Sequence, residues 1–467
     1  MGNHRSFHDE QELLLMPVYA KDREVLPVAA IYGANASGKS NLLDGLKFMA
    51  DAVRDSFAQW RPGGGVPRRP FKLDPAAREQ PSIFVAEIVE GGVRYTYGFE
   101  VDDERVLSEW LYSYPEKRKR VLFDRSRDHV KFGKTVTDAT FKMEVLEELL
   151  RPNALFISLA AQSNVAALVP VYQWFTRRLS FRLDGEPSNL EAGVAHFLRE
   201  YRSLHDQLVE LLSVADFGIS DIGLNPEAGL DLLVDRYKVE AGHNQRLLVG
   251  LRERLATIEG QRAGRHRSDQ LDDERRAIHH EITHVQERYF DSRNRLDQLE
   301  REVERGRHQV RLSHGRGSEL FRLDEESAGT RSWLGLLPAV LLVLREGGVL
   351  VIDEIDASLH SLLSARLVAL FNDPETNVAD GQLIFTTHDA TLLHPPLADE
   401  VLDRDEVWFV EKDQKGASTL HPLSDFKPRR EDNLERRYLA GQYGGVPHVY
   451  EEHFVNAVRD GVADGRA

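Results

Sequence analysis

Alternating and continuous apolar segments divide the first part of the chain into strands and one helix. The continuous run Val28–Tyr32 predicts a short buried strand, and a second strand is expected around Phe7–Met16. Apolar positions at helical spacing predict a helix over residues 41–60. From residue 82 to 123 apolar and polar residues alternate between turn residues, a pattern that is typical of an antiparallel β-meander.

The middle of the chain has a mainly helical pattern. Residues 141–214 have apolar positions at helical spacing. In residues 215–240 the apolar runs become shorter and predict loop and strand, ending with the run Leu232–Val234. No Lys and no Pro occurs between residues 244 and 310. Steps of three, four and seven residues in that segment predict a coiled-coil seam. Its apolar positions are Ile278, Ile282, Val285, Tyr289, Leu296, Leu299 and Val303.

A shorter apolar seam between Leu248 and Ile258 precedes this one, and residues 262–265 offer a turn. The pair predicts an antiparallel helical hairpin, whose longer arm of about 33 residues would extend about 50 Å. The hairpin is either a protruding arm for dimerisation or partner docking, or an extra helix pair on the body. Acidic residues interleave with its many Arg, which favours a salt-bridged face over a nucleic-acid surface.

An α/β pattern returns after the hairpin. The apolar runs Val349–Ile352, Gln382–Phe385 and Val407–Val410 predict strands with helices between them. We therefore expect the two ends of the chain to build one head around the middle. The predicted domains are an N-terminal half with the meander (1–140), a helical lobe (141–240), the hairpin (241–311), a C-terminal half (312–450) and a tail (451–467).

Composition narrows the classes of protein. The 467 residues include no Cys, which excludes disulfides, thiolate zinc sites and a cysteine nucleophile. A net charge of −16 argues against a protein that coats nucleic acid non-specifically, although a local basic patch remains possible. The longest nearly apolar run, Leu334–Leu344, is far shorter than the roughly 20 residues of a membrane helix. With no secretory signal pattern, the expected location is the cytoplasm and no membrane partner is expected.

The segment Gly33–Ser40 fits the phosphate-binding pattern G-x-x-x-x-G-K-[ST] at every fixed position. It follows a predicted strand and opens a predicted helix, so backbone N–H groups and the helix N-terminus face an anion. Lys39 would reach the β- and γ-phosphates, and Ser40 would ligate Mg²⁺. The sequence therefore predicts an ATP site.

Two acidic residues, Asp353 and Glu354, follow the apolar run Val349–Ile352. A phosphate-loop ATPase needs carboxylates at the end of such a strand, where Asp353 would hold the hydrated Mg²⁺ and Glu354 would polarise the attacking water. His388 ends the next predicted strand, where an imidazole could touch a γ-phosphate. We assign Glu354 and His388 as candidate catalytic residues.

A second anion cradle is possible at Glu325–Thr330, which leads directly into a predicted helix. One interpretation is that it serves the γ-phosphate bound by another copy of the chain. The other is that Ser327 or Thr330 is an ordinary N-cap. A further segment, Asp356–His360, could cross a dimer interface.

The order of these motifs resembles the head of ABC-type ATPases. More closely, the chain resembles the prokaryotic ABC-like AAA ATPases related to the overcoming-lysogenization-defect and abortive-infection proteins of anti-phage defence. The resemblance extends over residues 1–235 and 312–450, including the C-terminal segment Arg437–Pro447. It implies an α/β fold, an ABC-type phosphate-loop ATPase head with a mixed sheet and an antiparallel β subdomain, interrupted by a helical region and a coiled-coil hairpin.

The resemblance also implies roles for individual residues. Ser327 and Gly329 would act in trans across a head-to-head ATP sandwich, and His388 would sense the γ-phosphate. Gln162 is the candidate for the glutamine that links Mg²⁺ to the lobe between the first two motifs. The implied nucleotide-binding residues of the phosphate loop are Gly33, Asn35, Ser37, Gly38, Lys39 and Ser40.

Some relatives have a topoisomerase-primase-type nuclease domain after the head. Residues 410–413 resemble its opening acidic strand, but no Asp-x-Asp pair follows, so we expect this chain not to be the nuclease. The leading hypothesis is an ATPase that forms a homodimer or higher oligomer with ATP and regulates a separate effector, expected to be a nuclease, in phage defence. The alternatives are an SMC-like DNA repair or maintenance ATPase and a scaffold that hydrolyses ATP negligibly.

Overall fold

The structure is a computed structural model. It describes residues 1–20, 23–134, 136, 140–183, 190–215, 218–224, 230–262, 269–307, 309–315, 319–357, 359–394, 401–429 and 432–446. The predicted hairpin turn at residues 263–265, Ser358, Pro447 and the predicted tail (451–467) lie outside the described residues. The chain forms two compact units, one from residues 1–187 and 339–467 and the other from residues 188–338.

The first unit contains a six-stranded mixed sheet in the order β14-β13-β1-β12-β11-β7, in which β14 is antiparallel to β13 and the other neighbouring strands pair in parallel. Its strands are β1 (Val28–Tyr32), β7 (Leu179–Arg182), β11 (Val349–Ile352), β12 (Gln382–Thr387), β13 (Val407–Lys412) and β14 (Ser418–Pro422). Every residue of β1 and β11 is buried, as expected for central parallel strands. The α/β mixed-sheet prediction is therefore confirmed.

The predicted meander is a five-stranded antiparallel sheet that extends beyond residue 123. Its strands follow the chain order. They are β2 (Ser82–Glu90), β3 (Val93–Val101), β4 (Val106–Ser113), β5 (Arg120–Ser126) and β6 (His129–Phe132). Inward-facing Phe84, Phe99 and Phe123 are fully buried and belong to the same hydrophobic cluster as Leu43 and Val53 of the helix after β1.

Helices of the first unit surround the two sheets. They are α1 (Lys39–Asp55), α2 (Pro75–Glu79), α3 (Thr140–Leu149), α4 (Phe156–Gln162), α5 (Val169–Gln173), α11 (Ser361–Asn372) and α12 (Leu434–Leu439). The helix predicted over 41–60 thus begins earlier, at Lys39, and ends at Asp55.

The strand expected around Phe7–Met16 is wrong. Within these described residues only Phe7 makes an isolated bridge, to His4. Asn3 and Arg5 have left-handed φ values of 48° and 51°, which turn the chain sharply before it could join a sheet. The alternation has another cause, because the half-buried side chains at 13 and 15 pack against the core without a neighbouring strand.

The second unit contains a small antiparallel sheet and a long helix pair. The sheet order is β10-β9-β8, with β8 (Ile219–Leu224), β9 (Val310–His314) and β10 (Leu320–Arg322). Its helices are α6 (Leu190–Glu200), α7 (His205–Val214), α8 (Leu230–Arg262), α9 (Asp269–Arg307) and the first part of α10 (Ala328–Glu346).

The strand expected at Leu232–Val234 is also wrong, because these residues lie in the first turns of α8. Val234 packs with Leu296 and Leu299 of α9, so its apolar character belongs to the interface between the two helices. Farther along, Leu248 and Leu251 pack against Val285. The helices are therefore antiparallel, and α9 has 39 residues. The predicted domain boundaries remain predictions.

No helix that the structure describes is both long and apolar enough to cross a membrane.

A buried carboxyl pair precedes β13. Asp405 Oδ2 accepts three backbone N–H groups, from residues 18–20. Glu406 Oε2 accepts from the Asp403 N–H at 2.8 Å and from Asn372 Nδ2 at 3.0 Å. Burial raises the pKa of Glu406 to about 8, because the loss of hydration outweighs the hydrogen bonds from Asp403 and Asn372 and the charge of Arg23.

This raised pKa predicts a pH-dependent stability. The protonated form of Glu406 contributes stability that is complete below its ordinary pKa of 4.5 and is lost as the pH rises through about 8. We expect Glu406→Gln to unfold at a temperature that rises relative to the unsubstituted protein as the pH rises across this window, by roughly a few degrees in total. Thermal unfolding at several pH values measures the difference. Glu375→Gln, at an exposed glutamate, is the control and should show none.

Candidate functional site

The phosphate loop joins β1 to α1, and close packing requires glycine at both of its ends. A Cβ at Gly33 would lie 2.6 Å from the Val410 carbonyl oxygen. Gly38 has a φ of 118°, and a Cβ there would lie 2.4 Å from Ser418 Oγ. Other side chains are therefore excluded at these two positions for a steric reason. Asn35 and Ser40 are exposed at the same loop.

The Lys39 side chain is buried against the loop that it follows. Its Nζ donates to the carbonyl oxygens of Gly33 at 2.8 Å and Ala34 at 3.3 Å. Burial lowers the pKa of Lys39, and the charges of Glu354, Asp353 and Asp356 oppose that shift. The charges of the acidic residues that follow β11 thus act on the ammonium group, as expected if these residues and Lys39 belong to one site.

Two serines that are distant in sequence, Ser6 and Ser418, pack against the phosphate loop, and no pattern in the sequence predicts this contact. Ser418 Oγ donates to the Ser37 carbonyl oxygen and lies 2.8 Å from Ser6 Oγ. Asn41 Nδ2 in the first turn of α1 donates to Ser6 Oγ at 2.7 Å. The chain N-terminus and β14 therefore fix the position of the loop. Ser37 Oγ itself is buried without a hydrogen-bond partner in the described chain.

Thr386 of β12 holds the acidic pair that follows β11. Its Oγ1 accepts from the Glu354 N–H at 2.8 Å and donates to Asp353 Oδ1, and its carbonyl oxygen accepts from the Ile355 N–H at 3.1 Å. Glu354 has a left-handed φ of 52°, which is unfavourable for a residue with a side chain. Strained backbone of this kind persists only where its surroundings enforce it, and here Thr386 supplies the contacts.

At the end of β12, three polar side chains lie together: Thr387, His388 and Asp356. His388 Nε2 lies 3.1 Å from Asp356 Oδ2, and Thr387 Oγ1 donates to Asp356 Oδ1 at 2.6 Å. The His388 side chain is 56% exposed while that of Asp356 is 7% exposed. The buried carboxylate therefore orients an accessible imidazole. Asp356, considered above for a dimer interface, has these partners within the same chain.

The C-terminal segment covers the first residue of the phosphate loop. A Cβ at Gly445 would lie 3.2 Å from Gly33 Cα, and Tyr438 Oη donates to the Gly445 carbonyl oxygen at 3.2 Å. Burial raises the pKa of Tyr438 to about 12, although a hydrogen bond with the Gly33 backbone lowers it. The Phe409 ring of β13 stacks on both Tyr438 and Tyr443. The C-terminal motif therefore packs against the start of the phosphate loop.

Ser327 and Gly329 belong to the second unit, at the start of α10. Ser327 Oγ accepts from the Thr330 N–H at 3.1 Å and lies 2.8 Å from Thr330 Oγ1, so the serine is the N-cap of this helix. Ser327 is nonetheless exposed, while Thr330 is buried. A capping role and a role toward a phosphate of another copy are compatible, and the latter stays a prediction.

Gln162 is the exposed last residue of α4. Among the described residues it makes no hydrogen bond with the phosphate loop or with Asp353. Its assignment to Mg²⁺ stays a prediction.

The donor set fits Mg²⁺ bound together with a nucleotide. Mg²⁺ is usually held by one or two protein oxygens, several waters and substrate phosphates. Ser40 and the half-buried Asp353 supply such oxygens. No cluster of three or more metal-ligating side chains occurs within the described part of the chain, so a metal site made by protein alone is not found there. The loop glycines and the orphaned Ser37 hydroxyl fit a bound anion.

Comparison with known proteins identifies the family. Residues 28–394 match the family model described as "AAA domain, putative AbiEii toxin, Type IV TA system". The chain belongs to this family. The matched range includes the phosphate loop, the acidic pair and His388, so the AAA-type ATPase domain spans both units of the structure. No curated protein matches the chain.

Solved structures similar to this chain include heads of Smc proteins. An Smc head with an extended coiled coil bound to the C-terminal domain of ScpA, from Pyrococcus furiosus, is 12% identical, with a TM-score of 0.31 and coverage of 91% of this chain and 96% of that one. An Smc head bound to the C-winged helix domain of ScpA is 13% identical, with a TM-score of 0.36 and coverage of 91% and 98%. The fold assignment rests on the strand order and the family match.

The Thr386 contacts predict a separation of nucleotide binding from hydrolysis. Thr386→Val removes the hydroxyl that holds both Asp353 and the Glu354 backbone, and we expect the rate of ATP hydrolysis to fall roughly 10- to 100-fold. ATP affinity should change much less, because the phosphate loop is untouched. Thr386→Ser keeps the hydroxyl and should retain most of the activity. Steady-state hydrolysis and nucleotide titration measure the two effects, and an unimpaired Thr386→Val would contradict the assigned role.

Proposed function

We propose that this protein binds and hydrolyses Mg²⁺–ATP and acts as the sensor or regulatory subunit of an anti-phage defence system. One observation supports the enzymatic part above all. The phosphate loop, the Asp353–Glu354 pair and His388 follow β1, β11 and β12, three adjacent strands of the mixed sheet that run parallel to one another. Their carboxyl ends therefore share an edge, where ligands of open α/β sheets bind.

Each residue has a distinct task in this proposal. ATP with Mg²⁺ supplies the phosphoanhydride to be cleaved and a cation that neutralises its developing charge. Lys39, the loop N–H groups and Ser40 bind the phosphates and the metal, and Asp353 completes the oxygen donors. Glu354 accepts the proton of the attacking water. His388, oriented by Asp356, would hydrogen-bond to the γ-phosphate.

Ser327 and Gly329 complete the site in trans in the proposed dimer. Ser327 is exposed at the N-terminus of α10, where N–H groups and the helix dipole favour an anion. The second copy would supply this terminus to the γ-phosphate of the first, so that ATP links the two heads.

The defence role is supported by the family and by the motif resemblance. The family description refers to an AbiEii toxin and a type IV toxin–antitoxin system, and the motif order resembles ATPases of abortive infection. The chain lacks a recognisable nuclease cluster in its sequence, so we propose that a separate polypeptide, expected to be a nuclease, is the effector and that ATP state controls it.

A DNA-maintenance ATPase is the second candidate. The observation that favours it is the antiparallel pair of α8 and α9, since SMC-type heads also carry long helical arms. No zinc hook can form without Cys, however, and the chain is acidic overall. Composition therefore leaves this candidate second.

The role of Glu354 is tested with Glu354→Gln, which keeps the shape of the side chain and removes the base. We expect ATP hydrolysis to fall by at least about 100-fold while ATP still binds. Glu375→Gln, at an exposed glutamate of the same unit, should hydrolyse ATP normally. Undiminished hydrolysis by Glu354→Gln would remove the residue from its role.

The same variant tests the regulatory role. Expressed with its genomic neighbours, Glu354→Gln should form an ATP-dependent particle that contains a second polypeptide, visible by native mass measurement. A lone chain that only dimerises with ATP would favour the DNA-maintenance candidate. ATP hydrolysis is also measured with the effector present. A substantial rate there would exclude a scaffold that hydrolyses ATP negligibly.

The trans arrangement predicts complementation between two inactive variants. Lys39→Ala disables the phosphate loop, and Ser327→Arg blocks the second cradle. A mixed dimer has one doubly defective site and one intact site, so mixing the two proteins should restore roughly a quarter of the normal hydrolysis if chains exchange freely. If the mixture stays as inactive as each variant alone although mixed dimers form, Ser327 does not act in trans.

A further inference from the structure

A concentration of positive charge lies on the five-stranded sheet, away from the phosphate loop in sequence. Residues 112–134 contain eight Lys and Arg but only three Asp and Glu, in a chain of net charge −16. Six of these cations form what we call the basic face. They are Lys117, Arg118, Lys119, Arg120, Lys131 and Lys134.

All six side chains of the basic face are exposed. None of them forms an ion pair with a carboxylate within the described part of the chain, although exposed Arg residues elsewhere do. Two of the nearby acids are engaged, since Asp124 Oδ1 accepts from Tyr112 Oη at 2.7 Å and Asp128 lies 3.4 Å from Arg105. The six cations nevertheless outnumber the three acids of residues 112–134, so the basic face keeps a net positive charge.

Strand pairing brings three of the six cations, Arg120, Lys131 and Lys134, to one cleft. The turn after β4 carries residues 117–119, and β5 begins with Arg120 and pairs with β6, which contains Lys131. At the end of β6 a Cβ on Gly133 would lie 1.7 Å from the Val121 carbonyl oxygen, so only glycine allows the chain to approach β5 there. The resulting cleft has a volume of about 330 Å³ and is lined by Arg120, Val121, Asp124, Lys131, Phe132, Gly133 and Lys134.

Aromatic rings lie beside the cations. Lys119 Nζ is 3.5 Å from the ring centroid of Tyr112, and the Arg94 guanidinium carbon is 4.2 Å from that of Tyr114. Both rings are half-buried. Each cation covers one face of its ring, so these rings hold the two cations in place at the surface.

We propose that the basic face binds nucleic acid through its phosphate backbone. The cleft holds three cations and accepts one phosphate with its sugar, while residues 117–119 extend the positive surface beyond a single small anion. A chain of phosphates therefore matches this surface better than a mononucleotide. The binding is sequence-independent, because backbone contacts carry no base information.

This inference does not depend on the proposed ATPase function, since it uses none of the residues of the phosphate loop or of the acidic pair. It predicts a direct contact with nucleic acid that the net charge of −16 does not indicate, because the positive charge is confined to one face.

The test uses the full chain and labelled single-stranded and duplex oligonucleotides of about 16 nucleotides, in fluorescence anisotropy from about 50 to 200 mM salt. The test variant combines Arg118→Ala, Arg120→Ala and Lys131→Ala. We expect its affinity to fall at least tenfold, and the slope of log K against log salt to decrease by roughly two to three, as for about three lost phosphate contacts.

A matched control combines Arg252→Ala, Arg254→Ala and Arg288→Ala, three exposed arginines of the helix pair. It should bind within about twofold of the unsubstituted protein. Thermal unfolding and ATP hydrolysis check that both variants fold. As a readout that needs no substitution, ultraviolet cross-linking to a labelled oligonucleotide should mark peptides from residues 112–134.

The proposal would be wrong if nucleic acid does not bind to the unsubstituted protein even at the lowest salt, if the two triple variants lose the same affinity, or if the cross-links fall outside residues 112–134. Binding to vesicles of phosphatidylserine without binding to nucleic acid would also overturn it, because the occupant would then be a membrane surface.

Discussion

Strand β12 lies between β1 and β11 and pairs with both in parallel, which sets the heights at which the three strands end. Ala30, Phe385 and Ile352 lie at one level across these strands. The phosphate loop, the acidic pair and His388 then follow at the same edge. Every chemical argument about the site depends on this register, because a shift of one residue would reverse the direction of each side chain.

Side chains with no catalytic task hold this arrangement in place. Thr386 turns the backbone at Glu354 into a left-handed conformation and at the same time orients Asp353. Ser418 supports the phosphate loop through the Ser37 carbonyl oxygen. These contacts are made by buried hydroxyl groups, which are costly to leave without partners, so each one fixes the group it contacts. Preorganisation of this kind is what a site for charged phosphates requires.

Positive charge occurs in two different settings in this protein, at Lys39 and on the basic face. Lys39 is buried against the backbone carbonyl oxygens of the loop, and its pKa is influenced by the charges of nearby carboxylates, a setting suited to one compact anion and its metal. The basic face is exposed, unpaired and extended, a setting suited to a polymer that is bound and released as salt and partners change. The chain as a whole has a net charge of −16, which opposes non-specific binding of nucleic acid. A localised basic face would therefore restrict such binding to one part of the surface.

The sequence alone determined the phosphate loop, the strands Val28–Tyr32 and Val349–Ile352 and the order of the motifs, because each depends on a local pattern whose residues are adjacent in the chain. It misassigned Phe7–Met16 and Leu232–Val234, where apolar spacing is shared by strands, helices and packed loops, and only contacts with distant residues decide among them. The tasks of Thr386, Ser418 and Gly133 were likewise hidden. Their partners are far away in sequence, and folding alone brings them together.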